Sequence, residues 1–144
     1  MAEIVFDEMV DRYRVIGVSV SRGDYAKHIE KAREGYGGDE GSWGVEYDAL
    51  ALMLEDFFDD MYGLRFTFVV SGNGGLPEFS VYRGVGDDPR GFVGRWFVRG
   101  VDVIDVCSGL VGEPDVCDKI HDLIGEHPEA DVVVVIDSRW LSKE

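Results

Sequence analysis

Glutamine is absent from the 144 residues, and lysine occurs only four times. No apolar run approaches the roughly 18 residues that a membrane span needs. Met1-Ala2-Glu3 also lacks the basic segment and following apolar stretch of a secretory signal, so a cytoplasmic protein with no membrane partner is expected. Proline is limited to four residues, and no Pro/Ser linker, low-complexity tract or internal repeat divides the chain. A single domain over residues 1–144 is therefore expected, large enough to bury a core without a metal or disulfide framework.

Cysteine is equally scarce. Cys107 and Cys117 are the only two, and in a chain of cytosolic character they are expected as reduced, half-buried thiols. His121 follows Cys117 by one helical turn, but a fourth ligand has no obvious source, so neither a metal nor a cofactor is expected. Positive charge is scarce too: 14 basic residues against 29 acidic ones leave a formal net charge of −15. Affinity for nucleic acid comes from Lys and Arg releasing phosphate counterions, so direct nucleic-acid binding is disfavoured. Such acidity suits either a salt-rich cytoplasm or a basic protein partner.

The residues that are present read as an α/β chain. Glu3 to Tyr13 has a loose apolar period compatible with helix or strand, and Arg14 to Val20 has the β-branched content of a buried strand. Ser21 and Asp24 offer an N-cap for a helix over Tyr25 to Glu34. The strongest helix runs from about Val45 to Tyr62, with Leu50, Met53, Leu54, Phe57 and Met61 on one side and Gly63 at its end. At about 100° per residue, Asp48, Glu55 and Asp59 fall within about 40° of one another on the other side, with Leu52 among them, a solvated acidic stripe holding one apolar residue. Leu64 to Ser71 and Glu78 to Arg83 read as a hairpin around Gly72-Asn73-Gly74-Gly75. Strands are expected at Phe92 to Arg99 and Val101 to Cys107, a helix from Pro114 to Gly125, and a strand buried on both faces at Val132 to Ile136. The closing strand, helix, strand order implies a right-handed parallel crossover. The expected fold is a mixed, partly parallel sheet with helices packed on it and an antiparallel hairpin insertion.

Candidate chemistry is thin. Ser71-Gly72-Asn73-Gly74-Gly75 follows a strand but leads to no Lys-Ser/Thr pair and no helix, so it reads as a turn and not as a phosphate cradle. His28, His121 and His127 lie in or beside helices among carboxylates, where surface histidines are ordinary. Asp105 and Asp137 fall near the ends of two strands, where an open α/β sheet places ligand groups. Trp43, Trp96 and Trp140 read as packing residues. No catalytic set emerges.

The start of the long helix, Trp43-Gly44-Val45-Glu46-Tyr47-Asp48-Ala49-Leu50, resembles the aromatic-Gly-x-Asn-x-Asp-Ala-Leu signature of the barstar family of ribonuclease inhibitors. The order of elements around it is also similar. The resemblance implies a parallel sheet covered by helices and a basic nuclease as partner. Two positions depart from the signature: Glu46 stands where the family has Asn, and Leu52 where it has its second acidic residue. The hairpin segment from Gly72 to Gly100 has no counterpart in the small members.

Under that resemblance Trp43 and Gly44 shape the loop that enters the partner's site, Asp48, Glu55 and Asp59 meet its Arg and Lys side chains, and Leu52 is an apolar anchor. The leading expectation is a non-catalytic acidic inhibitor or immunity-type protein that binds and occludes a basic partner, such as a nuclease toxin. The alternatives are a small-ligand-binding or enzymatic α/β domain, with its site at the carboxyl ends of 101–107 and 132–136, and a structural or assembly subunit.

Overall fold

The computed structural model describes residues 2–35, 45–71, 78–84, 89–99, 107 and 110–140. The chain forms two compact units, one over Ser21–Phe92 and the other combining Ala2–Val20 with Val93–Glu144.

The second unit is built on the strand order β1-β2-β6-β5, with β1 at Glu3–Val10, β2 at Tyr13–Ser19, β5 at Phe92–Val98 and β6 at Val132–Asp137. β1 and β2 form a hairpin whose turn places Asp11 at φ 55. That left-handed conformation is one Asp tolerates better than most residues. Between β5 and β6 the chain forms α4, Pro114–Glu126, with Pro114 in its first turn, where a missing N–H costs nothing. Val116, Ile120, Leu123 and Ile124 of α4 share a core cluster with Phe6, Tyr13, Val15, Cys107, Val133 and Val135.

Every strand pairing in the described residues of this unit is antiparallel: β1 with β2, β2 with β6, and β5 with β6. The expected partly parallel sheet and its crossover are thereby corrected. β6 lies between β2 and β5 and all six of its residues are buried. An unbroken apolar run records that two-sided burial and says nothing about strand direction. Residues 101–106, expected as the parallel neighbour, lie outside the described residues; Cys107 sits in a turn.

The first unit contains α1 (Arg22–Tyr25), a 3-10 turn at Ala26–His28, α2 (Ile29–Gly35), α3 (Val45–Tyr62), β3 (Thr67–Ser71) and β4 (Glu78–Tyr82). Ser21 caps α1 with Asp24 in a reciprocal capping box, as its sequence suggests. α3 ends at Gly63, whose φ of 68 only glycine adopts without penalty. β3 and β4 pair as the expected antiparallel hairpin. Its turn, with Gly72 to Gly75, lies outside the described residues. The aromatic centre of this unit is Phe58 of α3, whose ring lies 6.3 Å from that of Phe66 and 5.5 Å from that of Phe68.

Candidate functional site

The first half of α3 is buried on nearly every side: Asp48, Ala49, Leu50, Ala51, Met53 and Leu54 are all buried. A helix segment apolar around most of its circumference belongs inside, and Asp48 is carried in with it. The solvated stripe expected over Asp48, Glu55 and Asp59 is therefore interrupted at its first member. Asp48 retains 7% of its exposure, and its Oδ2 has no hydrogen-bond partner among the described residues. Burial pushes its carboxyl above the ordinary carboxylate value.

Glu55 is half-buried and its Oε2 accepts the backbone N–H of Phe68 at 3.0 Å. Burial raises its carboxyl, with the charge of Asp56 adding and the Phe68 hydrogen bond and Lys31 opposing. Leu52 is half-buried, and Asp59 is exposed, 3.9 Å from Nε of Arg65. Trp43 and Gly44 lie outside the described residues. Of the six residues expected to face a partner, Asp59 alone is an exposed carboxylate among those described.

Apart from Glu46 in the first turn, the exposed acids of α3 sit in its second half. Asp56, Asp59 and Asp60 are all exposed and span about 100° of the helix circumference. Leu52 lies one turn before Asp56. Asp56 faces His28 at 3.6 Å and Met61 beside Asp60 is 55% exposed. The helical period puts Phe57 and Met61 on the buried face and so hides Asp56 and Asp60, whereas Phe58 occupies that face at 0% exposure. The cluster Asp56-Phe57-Phe58-Asp59-Asp60 carried the signal, with Phe58 rather than Phe57 as the inward residue. No basic residue stands in the last turn of α3. Carboxylates at a helix C-terminus oppose its dipole, each by about 0.3–1 kcal/mol at low ionic strength.

Beside the start of α3 lies a cavity of about 640 Å³, lined by Arg22, Tyr25, Ile29, Arg33, Glu46 and Tyr47 among others. Glu46 Oε1 accepts from Arg22 Nε at 3.1 Å and from the Tyr25 hydroxyl at 3.2 Å. In the second unit, Asp137 at the end of β6 is 1% exposed. It accepts from Arg139 at 2.7 Å and from Arg12 at 3.3 Å. Burial alone raises its carboxyl, but the hydrogen bonds and charge of Arg139, with Arg12, outweigh it and leave the group below the ordinary range. Asp137 is thus a structural carboxylate, and Asp105 lies outside the described residues.

Of the histidines, His127 stacks on Phe6 at 4.5 Å and His121 is exposed. Trp96 is buried at 1% exposure, as a packing residue. Cys107 and Cys117 are joined in a disulfide with Cα atoms 6.1 Å apart, in place of the expected thiols. None of the helices among the described residues is long and apolar enough to cross a membrane. Compared with family models, curated proteins and solved structures, the chain matches none.

Proposed function

We propose that the protein is a non-catalytic acidic inhibitor or immunity-type protein of the cytoplasm, which binds and occludes a basic partner such as a nuclease toxin or another nucleic-acid-binding protein. The observation that carries this reading is the placement of Asp56, Asp59 and Asp60, exposed together on one side of the second half of α3, with Asp59 and Asp60 in the last turn where they oppose the helix dipole. The long contacts of Asp56 with His28 and of Asp59 with Arg65 give fold stability little return for three acids there, whereas a negative face steers a basic protein into encounter and selects among partners. The net charge of −15 adds a long-range field of the same sign. Leu52, half-buried on the side of the helix that carries these acids, supplies apolar contact among them.

Asp48 and Glu55 drop out of the contact set, since one is buried and the other holds β3. The likeness of residues 43–50 to the barstar signature suggests a nuclease as target, although the signature's Asp48 is buried and the parallel sheet it implies is replaced by antiparallel pairings among the described strands. The test is to titrate the full chain into a panel of purified basic microbial ribonucleases while following RNA cleavage. Stoichiometric inhibition of at least one supports the proposal, and undiminished cleavage across the panel counts against it.

A second reading rests on the cavity beside α3: a small-ligand-binding domain whose ligand meets Arg33, Tyr25 and Tyr47. A thermal-shift screen distinguishes it, because a ligand at a hundred times its Kd adds about 2.7 kcal/mol of stability.

A further inference from the structure

The second unit holds a group of side chains that the docking proposal does not use. Cys107, Cys117 and His121 bring their sulfur and imidazole nitrogen atoms within 4.8 Å of one another. Two features of local structure hold them there. Cys117 and His121 are separated by one turn of α4 and so project from the same side of it. Cys107 sits in a turn in which its carbonyl accepts the N–H groups of Leu110 and Val111, each at 2.9 Å. The turn is fixed in place from β2, where the Tyr13 hydroxyl donates to the Leu110 carbonyl at 3.0 Å.

The geometry points to a redox-gated zinc site, in which Cys107, Cys117 and His121 hold one Zn²⁺ when the disulfide is reduced. Tetrahedral zinc has bonds of about 2.3 Å to sulfur and about 2.0 Å to nitrogen, which place such ligand atoms about 3.5–3.8 Å apart. That spacing lies inside the envelope the three side chains already occupy. Two thiolates and a neutral imidazole with an open fourth position form a donor set that zinc accepts, with water as the fourth ligand. His121, exposed on α4, brings that position to solvent. The missing fourth protein ligand, which weighed against a metal in the sequence, is thus no obstacle.

Burial gives the switch two neutral end states. Cys107 retains 2% of its exposure within the core cluster of Tyr13, Val116 and Ile120, where a lone thiolate is costly. The disulfide avoids that cost, and so does Zn²⁺ balanced by two thiolates. A dithiol reductant converts one into the other: it gives two electrons and two protons, the Cys107–Cys117 bond breaks to two thiols, and the reductant becomes a disulfide. Zinc then displaces the two thiol protons to solvent.

The site is tested on the full chain, reduced with a phosphine that does not compete for metal, against the same chain left oxidised. Zinc is titrated against a chromophoric chelator, and Co²⁺ serves as the spectroscopic probe. The reduced protein is expected to take up one zinc per chain and to show thiolate-to-cobalt charge transfer, the oxidised protein neither. His121→Ala, on an exposed helix position that tolerates alanine, should weaken zinc binding more than about tenfold without unfolding the chain. Equal uptake by reduced and oxidised protein, absence of the thiolate band, or unchanged affinity in His121→Ala would overturn the assignment, the first indicating adventitious binding at surface carboxylates. These readouts do not depend on a protein partner, so they stand or fall separately from the docking proposal.

Discussion

The Glu55 carboxylate accepts the backbone N–H of Phe68 at 3.0 Å, tying the middle of α3 to β3 across 13 residues of sequence. An acid that helical periodicity assigns to an outward stripe is thus a structural brace. Glu55→Ala removes the acceptor and should lower stability by about 1 kcal/mol, measured by urea unfolding near neutral pH. Glu55→Gln keeps an acceptor oxygen and sheds the burial penalty on charge, so it should cost less than alanine. A glutamine variant as unstable as the alanine one would contradict the assigned role.

Asp48 makes the opposite prediction. Burial raises its carboxyl in the folded state, so folding binds a proton more tightly than the unfolded chain does. The resulting penalty is absent below the ordinary value of 3.8 and fully present above the raised folded value. Asp48→Asn should therefore stabilise the protein at pH 7, by about 1–2 kcal/mol, and the gain should shrink as pH falls toward 3.8. Chemical unfolding across that range checks both sign and window. A destabilised Asn variant at pH 7 would show that the charge is compensated.

Asp137 reverses the sign once more. Arg139 and Arg12 hold its carboxyl below 3.8 in the folded state, so its contribution is present above that value and is lost as pH falls through the depressed one. Asp137→Asn should cost about 1–2 kcal/mol at pH 7, limited because both guanidinium groups remain partly solvated, and should cost little in strong acid.

In the second unit, Phe6 of β1 lies over Gly17 of β2, its register partner, so closely that a Cβ at Gly17 would enter the ring. The same ring stacks on His127 after α4. Gly17→Ala should cost about 1–3 kcal/mol by displacing Phe6 from the core. Combining it with Phe6→Leu should cost less than the sum of the two single changes, because they share one space. Strict additivity would show that the glycine is not reserved for the ring.

Much of this arrangement is legible in the sequence, and the misreadings have physical causes. α3 is set by a long apolar period ending at Gly63, and it runs over Val45–Tyr62 as the pattern implies. Which of its sides is buried is less legible: Phe57 and Phe58 are adjacent apolar residues, and choosing the wrong one rotates the inward face and hides Asp56 and Asp60. Val132 to Ile136 is correctly a strand buried on both faces, yet its neighbours run antiparallel, because direction is set by chain connections and leaves no mark in residue type. The Cys107–Cys117 bond is hidden for another reason: the expectation of thiols rests on the compartment, whereas the bond rests on geometry, a turn residue brought beside the first turns of α4 by folding.

The proposed docking face implies a conflict between stability and binding at the end of α3. Replacing Asp59 and Asp60 by asparagine removes two charges that oppose the helix dipole at the loss of the weak surface pair of Asp59 with Arg65, so the fold should gain about 0.5–1 kcal/mol at low salt. A stabilised variant that binds its target less well is the behaviour of residues retained for recognition.

The most direct measurement is the association rate constant of the full chain with a ribonuclease it inhibits, followed by stopped flow from low to high salt, alongside Asp56→Asn/Asp59→Asn/Asp60→Asn. Electrostatic steering predicts a steep fall in rate with salt for the native chain, and for the triple variant a rate at least about tenfold lower at low salt with a much flatter dependence. A variant that associates as fast as the native chain, with the same salt dependence, would contradict a docking role for the end of α3.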